Sequence, residues 1–393
     1  MPRWLLPENI SDVLPREARR VEYLRRALLD LYRSYGYEQV IPPLIEHAES
    51  LLTGTGSDVD LRTFKLTDQS SGRLLGVRAD TTPQVARIDA HILNRHGVVR
   101  LCYAVSVLHA RPVHPLATRE PFQVGAELYG AGGVAADVEL LELAVASLHL
   151  AGLKEVRVDL GHTGVVRGIL ELAHLPAVLV DELLGSLNAK DVPSLRQQSV
   201  ALPSDARAAL LALARLNDGN EVLAAARREL PSVPRITAAL DDLDAIVARC
   251  GADAVSIDLL DLHGYRYHTG VTFAVHTADA PNAVLRGGRY DDIGKAFGRA
   301  RPAVGFSIYL RELADLAEDS PPHAIRAPAD DDIQLRALIG KLRAGGETVV
   351  QRLPGEKIET RGQGDDDFVF DRVITRRGDE WSVVAAHKAG REH

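Results

Sequence analysis

Residues 101–130 read LCYAVSVLHARPVHPLATREPFQVGAELYG. Two runs rich in β-branched and aromatic residues, Val98 to Val107 and Pro121 to Tyr129, flank a proline-rich loop, the pattern of a strand–loop–strand hairpin. In the second run Gln123 and Glu127 alternate with Phe122, Val124 and Ala126, so both project from one face of the strand. A polar pair in that apolar setting either faces solvent or meets a ligand. The loop carries His109, Arg111, His114 and Arg119 and reads as a solvated basic loop.

Upstream, Pro15 to Tyr35 predicts a helix. Pro15 suits its first turn, Ser11 and Asp12 offer capping chemistry, and Gly36 suits the exit. Val21, Leu24, Leu28, Leu31 and Tyr35 step by three and four and form one apolar stripe. A strand over Tyr37 to Ile41 ends at Pro42-Pro43, which cannot continue a central strand. Leu66 to Leu75 reads as a hairpin around Gln69–Gly72, and Thr82 to Arg95 as a helix with Pro83 at its start.

Downstream, Asp137 to Leu150 predicts an amphipathic helix and Glu155 to Leu160 a strand. From about residue 162 to 251 the texture turns Leu- and Ala-rich with helical periodicity, broken at Pro176, Pro193, Pro203 and Pro231, and reads as a helical insertion. Strands resume at Ala254 to Leu259 and Tyr265 to His276. Residues 317–332, rich in proline and acid, read as a linker. Residues 333–393 form a small unit with a helix over Ile333 to Ala344, a strand over Glu347 to Leu353 and a hairpin over Phe368 to Ala385. Strand-rich blocks, antiparallel hairpins and intervening helices give an α+β class for residues 1–316, with a small α/β C-terminal unit.

Composition sets outer bounds. With 46% hydrophobic and 25% charged residues over 393 positions, the chain can bury a sizeable core. Against 46 Lys+Arg stand 54 Asp+Glu, a net charge of −8, which speaks against a large nucleic-acid footprint. Cys102 and Cys250 lie far apart in no metal-binding pattern and read as two buried free thiols in a reducing, cytoplasmic setting. The N-terminal MPRWLLPENISDVLP, interrupted by prolines and acids, does not read as a signal peptide. No apolar run approaches the roughly 20 residues a membrane helix needs. Nothing in the sequence calls for a cofactor or a metal.

Several segments could carry chemistry. Thr53 to Ser57 is Gly-rich but lacks the following Lys-Ser/Thr of a phosphate loop, and reads as a flexible loop. Asp80, in RADTT before a helix, is an N-cap or the acceptor of a ligand ammonium. LHGYRYHTG (residues 262–270) fails as a metal site on spacing and reads as an aromatic, hydrogen-bonding wall or a packed strand. LRGGRYD (residues 285–291) alone is a tight turn.

Taken in order, these segments resemble the catalytic domain of histidyl-tRNA synthetase, a class II aminoacyl-tRNA synthetase, over roughly residues 5 to 315. YGYEQVIPPLIE is similar to its first motif, the dimer strand with Pro43. RADTTPQVAR resembles the segment that holds the ammonium of histidine, with Asp80 in place of a glutamate. QVGAE matches the second strand of the hairpin, and LHGYRYHTGVTF and GGRYDD resemble the two histidine-specific motifs. AVGFSIYLREL sits where the third class II motif belongs. The resemblance implies an antiparallel sheet flanked by helices. It also implies a histidine-binding set of Asp80, Thr82, Gln123, Glu127, Tyr267, His268 and Tyr290.

The departures are as informative. Leu108 stands where the second motif has its ATP-contacting arginine, with Ala110 where an acid follows. His263 takes the place of the catalytic arginine of the first histidine-specific motif. Glu312 takes the arginine position of the third motif, and neighbouring Arg311 cannot substitute simply, because one helical step turns a side chain by about 100°. Losing one preorganised cationic donor typically costs about 2.7–4 kcal/mol of transition-state stabilisation, so no catalytic residue is assigned.

This pattern of retained binding residues and lost clamps is similar to the regulatory subunits of ATP phosphoribosyltransferase. Membership would imply a chain that catalyses nothing alone. It would form a homodimer through the first motif inside a hetero-octamer with the short-form catalytic subunit, turn on phosphoribosyl transfer to ATP, and take part in feedback by L-histidine. The competing expectations are a free-standing histidine sensor and an active synthetase. The acidic balance and the missing arginines speak against the latter.

Overall fold

The computed structural model describes residues 4–54, 57–115, 117–173, 175, 177–216, 221–251, 255–317, 321–356 and 368–386. Within the Gly-rich Thr53–Ser57 segment, Thr55 and Gly56 lie outside the described residues, as does Pro176. The chain divides into two compact units, Met1–Asp12 with Val21–Ala317, and Val13–Arg20 with Glu318–His393.

α1 (Pro15–Ser34), of which residues 21–34 belong to the large unit, precedes the short strand β1 (Glu38–Gln39). The buried stripe of α1 is Leu24, Leu28 and Tyr32, at a spacing of four. Tyr35, expected on that stripe, is 39% exposed because the helix ends at Ser34 and Tyr35 lies in the turn beyond it. Burying each of Leu24 and Leu28 is worth roughly 1.5–3 kcal/mol. A small sheet follows, β2 (Ile45–His47), β3 (Phe64–Thr67) and β4 (Leu74–Val77) in the order β2-β4-β3, with α2 (Ala48–Leu51) and α3 (Ser57–Arg62) between β2 and β3. The hairpin predicted around Gln69–Gly72 is the β3–β4 pair.

The helix after Asp80 is shorter than its pattern. α4 (Thr82–Arg87) passes into a π-helical turn over Ile88–Leu93, which Asn94 closes in a left-handed conformation. The hairpin strands are β5 (Val99–Ser106) and β6 (Phe122–Tyr129), paired antiparallel with Tyr103 opposite Gly125. α5 (Val134–Leu150) and β7 (Arg157–His162) come next. The helical block then comprises α6 (Thr163–Ala173), α7 (Ala177–Asn188), α8 (Val192–Gln198), α9 (Ser204–Leu213), α10 (Val222–Glu229) and α11 (Pro234–Cys250). α8 is capped by Asp191, whose Oδ1 accepts from the Ser194 N–H at 3.1 Å. α11 begins on Pro234 and ends at Gly251, where φ is 89°.

The sheet is completed by β8 (Val255–Ile257), β9 (Val271–His276), β10 (Leu285–Arg289) and β11 (Ala303–Tyr309), the last running into α12 (Leu310–Leu316). Its order is β1-β5-β6-β11-β10-β9-β7-β8, antiparallel throughout except at the two edge pairs β1–β5 and β7–β8. This is the expected antiparallel-rich α+β fold. Tyr265 to Thr269, expected as strand, is instead a turn that precedes β9. The Tyr267 and His268 N–H groups both donate to the Gly264 carbonyl at 2.8 Å. Gly264 is needed there: its φ is 67°, and a Cβ would stand 2.8 Å from the His268 ring.

The small unit has a sheet in the order β13-β12-β14-β15, built from β12 (His323–Ala327), β13 (Val349–Gln351), β14 (Val369–Arg377) and β15 (Glu380–Ala385). α13 (Ile333–Ala344) is capped by Asp332, whose Oδ1 accepts from the Gln334 N–H at 2.7 Å. Its Leu335 and Ile339 pack on Ile325, Val349 and Ile374. Residues 317–332 are therefore not linker throughout. The proline-flanked HAIRA is an internal strand paired parallel to both β13 and β14, and five residues are too few to show the alternation that marks a strand. Among the described residues no helix is long and apolar enough to cross a membrane.

Candidate functional site

The hairpin pairing decides where the polar residues of β6 go. Gln123 and Glu127 are 3% and 1% exposed, which settles their open reading against a solvent face. Glu127 lies opposite Leu101 on β5 and opposite Gly305 on β11. Gly305 carries no side chain for steric reasons, since a Cβ would collide with the Glu127 carboxyl. At Gly125 a Cβ would meet the Tyr103 hydroxyl in the same way. Glycines inside central strands normally weaken a sheet. Here they open the space in which a carboxyl and a phenol stand on the sheet.

Three hydroxyls converge on Glu127. Its Oε1 accepts from Thr82 Oγ1 at 3.0 Å and from the Tyr103 hydroxyl at 3.2 Å, while the Tyr290 hydroxyl bonds to Oε2. All three partners are neutral. Burial raises the Glu127 pKa, the hydroxyl bonds from Tyr290 and Thr82 oppose it, and the nearby Asp80 charge adds to the rise. Burial wins and pushes the group up to about 8, so the carboxyl holds a proton at neutral pH.

Thr82 links this carboxyl to Asp80. The Asp80 Oδ1 accepts from the Thr82 N–H at 3.1 Å and from Gln123 Nε2 at 3.0 Å, and Gln123 Oε1 accepts from the Thr81 N–H at 2.9 Å. Asp80 thus precedes the Thr81 N-cap of α4, accepts from its first N–H, and remains half-buried beside the cluster. Arg78 fixes the segment from behind. Its Nε donates to the Ser106 carbonyl at 2.6 Å and its Nη1 to the Pro42 carbonyl at 2.7 Å.

Tyr290 is 2% exposed and stacks on Tyr267, with ring centroids 5.0 Å apart and planes 29° apart. The Tyr267 hydroxyl is buried without a hydrogen-bond partner, as is Thr81 Oγ1. His268 packs edge-on against Tyr267, centroids 5.4 Å apart. Burial pushes its imidazole down to about 4, so it is neutral at neutral pH. The structure therefore brings all seven expected residues, Asp80, Thr82, Gln123, Glu127, Tyr267, His268 and Tyr290, into one connected cluster. Such a cluster can receive a small ligand bearing N–H donors and a cationic group. It offers no guanidinium clamp of the kind a triphosphate needs.

Two participants went unpredicted. Tyr103 sits in an apolar-looking run, and its only signal was the glycine facing it across the hairpin. Arg289, in GGRY, is 8% exposed and ion-pairs with the buried Asp137 of α5 at 2.7 Å. Its partner lies 152 residues away in sequence, too far for any local pattern to show. The loop after β5 also departs from a solvated basic loop. His109 is fully buried, with Nε2 3.0 Å from the Ala79 carbonyl and its ring edge-on to Tyr309 at 6.1 Å.

The three departed positions lie outside the cluster's hydrogen bonds. Leu108 is half-buried, and its N–H donates to the Arg78 carbonyl at 2.9 Å. His263 is exposed on the turn before β9, and Glu312 is exposed in the first turn of α12. Of the two thiols, Cys102 is buried and Cys250 only half-buried, because Cys250 ends α11 at the domain surface.

Residues 9–313 match the family described as histidyl-tRNA synthetase, and residues 322–384 match the ATP phosphoribosyltransferase subunit HisZ C-terminal domain. The chain is 54% identical to the ATP phosphoribosyltransferase regulatory subunit of Ralstonia pickettii over 97% of both chains. It is 56% identical to that of Cupriavidus taiwanensis over 97% of this chain and 98% of the relative. The chain belongs to the ATP phosphoribosyltransferase regulatory subunits. A solved ATP phosphoribosyltransferase regulatory subunit/histidyl-tRNA synthetase from Bacillus halodurans superposes with a TM-score of 0.80 at 26% identity, covering 91% of this chain and 94% of that one. The regulatory subunit described above is thus a synthetase-like fold in a regulatory, non-aminoacylating role.

Proposed function

We propose that this regulatory subunit acts on the short-form ATP phosphoribosyltransferase catalytic subunit and that its synthetase-like site binds L-histidine as the feedback signal. The observation that carries the histidine reading is the Glu127 cluster. A protonated carboxyl held by Thr82, Tyr103 and Tyr290 lies one residue's reach from the Asp80 carboxylate. An imidazole ring fits beside Glu127 and Tyr267, where the unpaired phenol supplies a further polar partner. The ligand ammonium fits at Asp80. Histidine then inhibits by linkage, favouring an arrangement of the complex that is less active.

Homodimer formation through residues 35–46 inside a hetero-octamer belongs to the same proposal. Ile41, Leu44 and Ile45 are 75%, 48% and 44% exposed, more apolar surface than a short segment usually leaves in water.

The first test is phosphoribosyl-ATP formation by the catalytic subunit with and without this chain, then with histidine added. Activity that rises with the chain and falls with histidine is the expected result. No change at saturating concentrations of both subunits overturns the proposal. Calorimetry on the isolated chain tests the site. Glu127→Gln removes the charge the carboxyl can acquire against a bound imidazolium, and histidine affinity should fall by about 1.5–3 kcal/mol. Unaltered affinity would place histidine elsewhere.

A further inference from the structure

The turn that carries Tyr267 and His268 is held from outside the cluster. Its N–H groups close on the turn itself, Tyr265 donating to the Leu262 carbonyl at 3.0 Å and Tyr267 and His268 to that of Gly264. The carbonyls of Tyr265 and His268 are left over. Both accept from a single atom, Nη2 of Arg167 on α6, at 3.0 and 2.9 Å. The same guanidinium lies over the Tyr265 ring, 5.0 Å from its centroid. Arg167 therefore grips the turn on both sides of Tyr267.

Two further observations bear on this grip. Arg167 forms no ion pair among the described residues, and its Nε is buried without a hydrogen-bond partner. A guanidinium that served only its own helix would not leave a donor orphaned, since such a group is costly to bury. Its base is also firm. A Cβ on Gly168 would stand 2.6 Å from the Ile236 side chain, and one on Gly164 3.1 Å from the Ala239 Cβ. α6 thus lies close against α11, and a shift of these helices carries Arg167 and the turn with it.

We propose that Arg167 is a positioning residue of the histidine site, setting the Tyr267 hydroxyl and the His268 ring against the ligand from the helical block. The proposal rests on the histidine reading of the Glu127 cluster. Tyr290 already fixes the Tyr267 ring by stacking, and the Tyr267 hydroxyl is buried without a partner, so the height of the turn decides whether that hydroxyl meets a ligand. Ligand binding and the position of α6 are then coupled, each biasing the other by the same factor.

Calorimetric titration of the full chain with L-histidine tests this in three variants. Arg167→Met removes both carbonyl bonds and should weaken histidine binding by about tenfold. Arg167→Lys should restore affinity to within about threefold, because both bonds come from one nitrogen and an ammonium has three donors. In a Tyr267→Phe background Arg167→Met should cost less than about threefold more, since it acts through the hydroxyl already removed. Unchanged affinity in Arg167→Met, no recovery in Arg167→Lys, or a full additive loss in the Tyr267→Phe background would each overturn the proposal. Hydrogen exchange of the ligand-free chain separates this outcome from a failure of the histidine reading. In Arg167→Met the Tyr267 and His268 amides should exchange about tenfold faster while Leu240 and Leu243 of α11 keep their native protection. If the native chain binds no histidine, that local acceleration still establishes Arg167 as the residue that sets the turn, and its absence, or an equal acceleration in α11, overturns it.

Discussion

At Glu127, hydroxyls from three separate elements, Thr82 of α4, Tyr103 of β5 and Tyr290 after β10, close on one buried carboxyl. At Leu108, His263 and Glu312, the positions that hold arginines in the synthetase pattern carry an aliphatic side chain, an exposed imidazole and an exposed carboxylate. The first region is bound into one hydrogen-bonded network, and the second shares none of that network's side-chain bonds. A buried polar network resists piecemeal change, because removing one member leaves the others unsatisfied at a cost of about 1–3 kcal/mol each. Arginines that wait in solvent for a nucleotide carry no such structural cost, and they disappear once the reaction no longer matters. The difference teaches that the retained half is held by its own hydrogen bonds as well as by any ligand.

The largest effect that can sharpen this comparison lies just behind the cluster. Arg289 and Asp137 form a buried ion pair at 2.7 Å, 8% and 5% exposed. Arg289→Met leaves Asp137 buried without its partner and should destabilise the chain by about 3–5 kcal/mol, read as a lowered urea midpoint. Histidine affinity per folded molecule should stay within about twofold, since Arg289 makes none of the bonds to Glu127. A variant that is stable but unable to bind histidine would instead place Arg289 in the ligand site and blur the two roles of the GGRY segment.

How far the sequence disclosed this arrangement depends on distance along the chain. The helix Ile333–Ala344 and the hairpin strands β5 and β6 were legible because each carries its period and its stops within a dozen residues. Gln123 and Glu127 could be placed on one face by alternation, but whether that face was wet or buried depended on β11, whose Gly305 arrives 178 residues after Glu127. The turn at Tyr265–Thr269 misled because its aromatics have high strand propensity, and the left-handed Gly264 overrides them. HAIRA at 323–327 was hidden by flanking prolines and acids, although its burial comes from pairing on both sides. Local chemistry was readable; which surfaces meet was not.

A smaller effect follows from protonation. The Glu127 pKa is raised from 4.5 to about 8 on folding, so the folded state holds a proton that the unfolded chain releases above pH 4.5. Its contribution to stability is complete below that value and is lost as pH rises through 8, at a slope of about 1.4 kcal/mol per pH unit. His268, lowered from 6.5 to about 4, has the opposite sign. Its contribution is present above pH 6.5 and is lost as pH falls through 4. The two oppose one another between pH 4.5 and 6.5, and only the Glu127 loss remains between 6.5 and 8. Urea midpoints should therefore decline from pH 6.5 to 8 in the native chain and decline less in Glu127→Gln. Parallel curves for the two proteins would show that the carboxyl is already ionised, and the contrast between a sealed cluster and an open clamp would fail.

The smallest expected effect comes from the other region. Leu108→Arg restores one cationic side chain at a half-buried position whose backbone is already fixed by Arg78, in a loop tied down by Asn9. The Asn9 side chain donates to the Pro115 and Ala117 carbonyls at 2.9 and 3.1 Å, and the Arg119 N–H donates to the Asn9 carbonyl at 2.8 Å. Cationic groups acting together on a triphosphate are strongly non-additive, and His263 and Glu312 remain wrong in the single variant, the carboxylate repelling the charge it would have to stabilise. Histidine-dependent exchange of pyrophosphate into ATP should stay at background. Exchange above background in Leu108→Arg alone would mean that the clamp was one residue from function. The open region would then be as poised as the sealed one, and the asymmetry between them would have to be sought in the partner rather than in this chain.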